Sequence, residues 1–249
     1  MSNNALAIYL DAPLQSWGAS SRFQYRETES FPTKSGIIGL VAAAMGIDKH
    51  APDEADLLRP LAELKLSTLR IDKIPGKSVR RLSDFHTIGG GWIDDWKADK
   101  GNLFAKMKTP RKAGDGSPFG TVITHRTYLT DARFLVVLEG EESVLQRCAS
   151  ALEDPKWGVW FGRKSCLPAA PLSPTLASTG SEAIALLAKK VAMGDFEVEK
   201  QTGQRESASE DAWYQSDQPI SFGRREFQSR PITRVIERTE NKTNAPNEP

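Results

Sequence analysis

The fold is decided by "FPTKSGIIGLVAAAMGI", which occupies residues 31–47. Because Pro32 disfavours a helical conformation at the residue before it, a helix begins only after this proline. Thr33 and Ser35 are both suitable N-caps, and Gly46 is a suitable C-terminal stop. Apolar side chains recur between them at helical spacing, which predicts a buried helix from Ser35 to Gly46.

The start of this predicted helix also suggests a binding site. Its exposed backbone amides, with Lys34 beside them, form a ready position for a phosphate. Gly36 and Gly39 each cost about 1 kcal/mol relative to alanine inside a helix. A close approach of the backbone to a sheet or a ligand would explain both glycines. In the alternative interpretation, Lys34 only faces solvent.

The composition is that of an ordinary globular protein, with 39% hydrophobic and 26% charged residues in a chain of 249. The longest apolar run, residues 37–47, is shorter than the roughly 20 residues that cross a bilayer, and the N-terminus has no signal-peptide pattern. Cys148 and Cys166 stand apart and, with three scattered histidines, form no zinc pattern. We therefore expect a cytoplasmic protein without membrane contact, metal or cofactor, whose cysteines are packing residues.

Positive charge is concentrated in two segments although the net charge is only +1. The segment from Lys100 to Arg126 contains six lysines or arginines and one acidic residue. Residues 222–234 contain four arginines and one acidic residue. Clusters of positive charge on a protein of low net charge are typical of a subunit that binds a short length of nucleic-acid backbone. The alternative is a pair of solvated loops.

Hydrophobic periodicity predicts an α+β protein. Residues 5–10, 64–72, 78–88 and 128–140 are predicted as strands, with 78–88 pairing to 64–72 after the turn "KIPGK". Residues 141–154 and 181–192 are predicted as helices, whereas residues 48–63 are interpreted as a polar linker. Strand, helix, two or more strands, helix is the order of a ferredoxin-like sheet, which RNA-recognition modules use.

The chain divides into three predicted regions. Residues 1–155 form the ferredoxin-like domain, interrupted at about 89–124 by a long insertion rich in glycine, lysine and tryptophan. Residues 156–238 form a smaller C-terminal region that begins with a proline-rich stretch. Residues 239–249 are predicted to be a disordered tail.

Six segments together resemble the CasD subunit family of the type I-E CRISPR surveillance complex, Cascade. They are "APLQSWG" (12–18), "FPTKSGIIGLVAAAMGI" (31–47), "LSDFHTI" (82–88), "YLTDARF" (128–134), "WFGRKSCLPAAPL" (160–172) and "GRREFQSR" (223–230). The resemblance implies a modified RNA-recognition (RAMP) fold in which the insertion is a β-rich thumb. It also implies a non-catalytic subunit that binds the 5′ repeat-derived handle of the CRISPR RNA (crRNA). The implied partners are the backbone subunit CasC, the large subunit CasA and, through the complex, target DNA.

Single-stranded RNA needs cations for phosphates, amides in glycine turns and flat rings for splayed bases, and the matching segments supply these groups. The candidate RNA-binding residues are Gln15, Trp17, Gly18, Lys34, Ser35, His86, Arg111, Lys112, His125, Arg126, Gly162, Arg163, Lys164 and Ser165. For several of them a structural role is the alternative: Trp17 as a core ring, His86 as a packed histidine, and Arg163 with Lys164 as partners of surface acids.

Two other functions remain open at this stage. Metal-free cleavage of precursor RNA needs a base, an acid and a cation, which His86, His125 and a nearby lysine could provide. A purely structural wedge would touch RNA only incidentally. Metal-dependent chemistry is disfavoured, because the clustered Asp94, Asp95 and Asp99 have no histidine partner.

Overall fold

The computed structural model describes residues 4–18, 24–72, 79–88, 122–191, 197–202 and 213–237. The helices in these ranges are α1 (Lys34–Met45), α2 (Glu54–Glu63), α3 (Glu142–Glu153) and α4 (Gly180–Lys190). The strands are β1 (Ala5–Asp11), β2 (Leu14–Gln15), β3 (Tyr25–Arg26), β4 (Lys65–Asp72), β5 (Arg80–Ile88), β6 (Val122–Thr130), β7 (Arg133–Glu139), β8 (Thr175–Ala177), β9 (Glu197–Thr202), β10 (Trp213–Ser221) and β11 (Glu226–Glu237). The predicted α+β class is confirmed.

The larger sheet has the strand order β10-β11-β9-β4-β7-β1-β8, and its neighbours pair antiparallel. Its central part follows the chain order β1-α1-β4-β7-α3-β8, which is the ferredoxin-like βαββαβ order. β9 pairs with β4 on one edge and β11 on the other, so strands from the C-terminal region extend the same sheet.

Alternating side chains of the central strands bury both faces of this sheet. On β1, Leu6 and Ile8 pack in the cluster that includes helices α1 and α3, whereas Ala7 and Tyr9 pack on the other face with Ala183 of α4. The strand period of two assigns successive residues to opposite layers. The central strands are therefore packed on both faces, by α1 and α3 on one side and α4 on the other.

A smaller sheet is built around β6. β5 pairs along one edge of β6, while β2 and β3 pair along the other. The predicted hairpin of 64–72 with 78–88 is therefore wrong, because β4 pairs with β7 and β9 instead. The predicted strand 128–140 is two strands in two sheets, because the backbone turns at Asp131, which has φ 52°.

The prediction for residues 48–63 is also wrong in part, since residues 54–63 form α2. Pro60 lies inside this helix and removes one backbone donor, which is why the segment does not look helical. The helix forms nonetheless because Leu58 and Leu61 are buried in the core. Tertiary packing outweighs the local signal here.

The helix from residue 35 to 46 is confirmed as α1, with Thr33 as its N-cap and Gly46, in a left-handed conformation, as its C-cap. The helices at 141–154 and 181–192 are confirmed as α3 and α4. Most of the predicted thumb and the tail 239–249 lie outside the described residues, and the proposed boundary at 155 stays a prediction. Within the described ranges, no helix is long and apolar enough to span a membrane.

Candidate functional site

A cleft of about 310 Å³ lies where five segments of the chain meet. These segments are the loop after β2, the end of β3, the start of α1, the loop around residue 162, and the turn between β10 and β11 with the start of β11. Its lining residues are Ser16, Trp17, Gly18, Arg26, Glu27, Thr33, Ser35, Gly36, Gly162, Arg163, Phe222 and Phe227. Three of the six segments that carry the family resemblance supply most of this lining, and a fourth supplies Phe227.

The loop of residues 12–18 is fixed by buried polar contacts. The side-chain amide of Gln15 donates to the carbonyl of Ala132 at 2.7 Å and accepts from Trp17 Nε1 at 3.0 Å. The Trp17 ring is fully buried and stacks on Phe161, with ring centroids 6.0 Å apart. This burial argues against the predicted contact of Gln15 and Trp17 with a base and gives both residues a positioning role. Gly18, by contrast, is exposed at the cleft.

Two glycines allow the cleft walls to approach this loop. A Cβ atom on Gly36 would lie 2.8 Å from Cε3 of Trp17. Gly162 has φ 92°, and a Cβ there would lie 1.7 Å from the carbonyl oxygen of Ser16. Only glycine fits either position without a shift of the backbone or the ring. Gly36 therefore allows a close approach, but to the Trp17 ring rather than to a sheet or a ligand, and Gly39 allows none, because a Cβ there would meet only Phe222 at 3.6 Å. A second close approach occurs at Gly162.

Arg163 ties the loop around residue 162 to the smaller sheet. Its guanidinium donates to the carbonyl oxygens of Thr127 and Arg26 at 3.0 and 2.6 Å and lies 4.6 Å from the centroid of the Tyr128 ring. The predicted alternative, pairing with a surface acid, is not what the structure shows for Arg163. Lys164 and Ser165 next to it are exposed, and Lys164 Nζ lies 5.6 Å from the Trp160 ring centroid.

The hairpin formed by β10 and β11 covers the start of α1. The backbone amide of Lys34 donates to Asp217 Oδ2 at 2.7 Å, and Lys34 Nζ donates to Gln218 at 3.3 Å. Arg230 donates to both carboxylate oxygens of Asp217, at 2.6 and 3.1 Å. The first amide of α1 is therefore not exposed, contrary to the expectation from sequence, because a carboxylate of the chain already occupies it. Ser35, one residue later, does line the cleft.

Lys34 is 5% exposed, so it neither faces solvent nor lies open to a ligand. Burial, followed by the positive charge of Arg230, lowers the pKa of Lys34 from 10.5 to about 8, although Asp217 opposes both effects. Burial also raises the pKa of Cys148 to about 11 and that of Cys166 above its ordinary value. The two thiols are buried and protonated, as expected of packing residues.

The turn that carries Phe222 and Phe227 is held by a buried carboxylate on α2. Glu54 Oε1 accepts the backbone amides of Phe222 and Gly223 at 2.7 and 3.3 Å, and its other oxygen accepts the Ser221 hydroxyl. Hydrogen bonds from backbone amides to a buried carboxylate are strong because they are charge-assisted. The aromatic wall of the cleft is therefore rigidly attached to the helical layer.

The smaller sheet presents an exposed row of rings beside the cleft. Tyr25, His125 and Phe85 are aligned across β3, β6 and β5, and we call them the aromatic row. Tyr25 stacks on His125 at 5.2 Å with an interplanar angle of 12°, and Phe85 meets His125 edge-on at 5.5 Å. Tyr25 and Phe85 are 60% and 61% exposed.

The two histidines predicted as a catalytic pair are not on one face. His125 is aligned with Phe85, and His86 with Thr124, so His86 and His125 occupy alternate faces of the sheet. His86 is half-buried, and its Nδ1 has no hydrogen-bond partner among the described residues. Arg126 donates to Thr124 Oγ1 on the same side as His86.

The structure thus brings together Gly18, Ser35, Gly162 and Arg163 at one cleft, with Lys164 and Ser165 in the adjoining loop. His86, His125 and Arg126 lie on the smaller sheet, and Arg111 and Lys112 lie outside the described residues. Sequence reasoning missed five residues: Arg26, Phe222 and Phe227 at the cleft, and Tyr25 and Phe85 in the aromatic row. Phe85 could have been found, because strand alternation in "LSDFHTI" places it on the opposite face from His86.

Known proteins are similar to this chain in sequence and in fold. The chain matches the family described as "CRISPR-associated protein (Cas_Cas5)" over residues 5–234. It is 30% identical to the "CRISPR system Cascade subunit CasD" of Escherichia coli (strain K12) over 174 residues, which are 67% of this chain and 68% of that protein.

Solved structures match this chain as well. One is a chain of a "CRISPR RNA-guided surveillance complex", with a TM-score of 0.67, 28% identity, and coverage of 94% of this chain and 90% of that one. Another, "Crystal structure of Cas protein", has a TM-score of 0.62, 27% identity, and coverage of 93% and 94%. The resemblance in the six segments is confirmed, and the chain belongs to the Cas5 family of CRISPR-associated proteins.

Proposed function

We propose that this protein is a non-catalytic subunit of a Cascade-type surveillance complex and that its cleft holds the 5′ handle of the crRNA. The observation that carries the proposal is the convergence of Ser35–Gly36 and Gly162–Arg163 on one cleft, although they are far apart in the sequence. Similarity to CasD and to a chain of an RNA-guided surveillance complex supports the same role.

The cleft has the groups that a bent single strand of RNA requires. Exposed Arg26 supplies positive charge at its edge, and the hydroxyl group of Ser35 can donate to phosphate or ribose oxygens. Phe222 and Phe227 supply a ring wall, with their centroids 6.2 Å apart. Stacking on rings and contacts with phosphates together give tight binding without reading every base.

The remaining contacts of the assembly follow from the same role. The neighbouring backbone subunit (CasC) would contact the thumb, and the large subunit (CasA) would dock close to the handle, with target DNA engaged only through the complex. Arg111 and Lys112, in the predicted thumb, and His86, His125 and Arg126, at its base, would follow the RNA as it leaves the cleft. These assignments are proposals that rest on the family resemblance.

Cleavage of precursor RNA is the less favoured function, because His86 and His125 lie on alternate faces of the sheet and so do not form one acid–base pair. Incubation of the purified protein with labelled repeat RNA in EDTA tests this. We expect no specific product. Cleavage that disappears in His86→Ala or His125→Ala would overturn the non-catalytic assignment.

A salt titration of RNA binding separates handle binding from a structural wedge. Arg26→Gln and Lys164→Gln each remove an exposed cation at or beside the cleft, whereas Arg147→Gln removes one from the surface of α3. For each lost phosphate contact, the slope of log K against log salt should fall by about 0.7. Filter binding with single-stranded handle RNA measures it. Slopes unchanged in both cleft variants, or lowered equally by Arg147→Gln, would favour the wedge.

A further inference from the structure

We infer that the aromatic row is a second RNA contact, at which one unpaired base of the strand leaving the cleft stacks on Tyr25. This inference rests on the proposed function and adds a site outside the cleft. His125 contacts Tyr25 on one neighbouring strand and Phe85 on the other, and these two outer rings are about 60% exposed, so folding does not bury the row. Exposed rings of this kind are the usual platform for bases of single-stranded RNA.

The geometry favours a planar ligand. Tyr25 and His125 are nearly parallel, with an interplanar angle of 12°, so a base placed on the exposed face of Tyr25 would extend an existing stack. Phe85 meets His125 edge-on at 70° and closes the far end of the row. Offset or edge-on contacts between rings are the favourable ones, so the three rings hold one another in place before any ligand arrives.

The position of the row favours RNA over another occupant. Arg26 and Glu27, which directly follow Tyr25, line the cleft, so the row begins at the cleft edge. An RNA strand that leaves the cleft over β3 therefore reaches the ring of Tyr25 first. The row is thus continuous with the proposed binding site.

Fluorescence of 2-aminopurine tests the inference on the full-length protein. Single-stranded handle RNA is prepared with 2-aminopurine at successive positions, and quenching marks the base that stacks on a ring. We expect quenching at one position outside the cleft. Tyr25→Ala should relieve it and weaken binding by about 5- to 150-fold, whereas Phe85→Ala, which removes a support of the stack, should have a smaller effect in the same direction. Tyr25→Phe should keep both the quenching and the affinity, because it keeps the ring.

Tyr214→Ala is the matched control, since Tyr214 is a 75% exposed ring on β10 and is not part of the row. Binding and quenching that remain at wild-type levels in Tyr25→Ala and Phe85→Ala would overturn the inference. If those variants bind RNA normally but fail to assemble with other subunits, the row binds protein and the inference also falls. A wild-type chain that binds no handle RNA would refute the proposed function itself, which Arg26→Gln tests separately.

Discussion

Replacement of buried Lys34 by methionine should change how stability depends on pH. The ammonium group lies in the cluster with Asp217 and Arg230, where burial lowers its pKa from 10.5 to about 8. Between these two pH values the unfolded chain binds more protons at this lysine than the folded chain does. The free energy of unfolding of the wild type therefore rises with pH across this interval, and Lys34→Met removes that rise.

The magnitude follows from the two pKa values. Each pKa unit corresponds to about 1.4 kcal/mol, so the interval from about 8 to 10.5 corresponds to about 3 kcal/mol. At pH 7 the wild type carries the full cost of a charged, buried lysine, and at pH 10.5 it carries almost none. The stability of Lys34→Met relative to wild type should thus fall by about 3 kcal/mol over this range.

Urea unfolding followed by tryptophan fluorescence, repeated from pH 7 to pH 10.5, measures the difference. Lys189→Met is the matched control, because Lys189 is an exposed lysine in the last turn of α4. Taking the difference from wild type at each pH removes the contribution of other titrating groups, such as Tyr9, whose pKa burial and Asp11 raise to about 12. A stability difference for Lys34→Met that stays constant with pH, or that follows the same trend as the control, would refute this reasoning.

Two further substitutions test residues that hold the walls of the cleft in place. Gly162→Ala should lower the free energy of unfolding by about 3 kcal/mol or more, because its φ is 92° and the new Cβ would meet the Ser16 carbonyl at 1.7 Å. Gly158→Ala is its control, since the nearest atom there is 3.4 Å away, and equal melting temperatures for the two variants would contradict the reasoning. Asp217→Ala should cost about 3–5 kcal/mol in urea unfolding, because the buried guanidinium of Arg230 loses its paired carboxylate and the backbone amide of Lys34 loses its acceptor. Asp56→Ala, which breaks an exposed pair, should cost about 1 kcal/mol or less, and a similar cost for both would count against a structural role for the buried cluster.

Local sequence signals were sufficient for part of this fold. Thr33 is the N-cap of α1 and Gly46 is its C-cap, as predicted. Both residues end the helix through hydrogen bonds with nearby backbone groups, so a short stretch of sequence is enough to identify them. The alternation of β1 likewise encodes its two buried faces without reference to other strands. Such features depend on a few neighbouring residues, and the sequence displays all of them.

The partners of strands and polar groups could not be read in this way. β5 pairs with β6, which begins at Val122, 34 residues after β5 ends. The turn signal "KIPGK" between β4 and β5 instead favoured β4 as the partner, which is wrong. No sequence pattern near Lys34 predicts that its backbone amide will donate a hydrogen bond to Asp217, which lies 183 positions away in the chain. The direction in which Trp17 points was equally undetermined, because the same ring suits a core or a base.

The cleft draws its walls from both ends of the polypeptide, from Ser16 to Phe227, and this order has a consequence for biosynthesis. A nascent chain that has emerged from the ribosome only as far as α4 already contains Gly36 and Gly162 but has no wall from Phe222 and Phe227. Its α1 also begins without Asp217, the residue that closes the helix start. In the proposed function, the cleft would therefore be complete for handle RNA only after residues 213–230 have been synthesised.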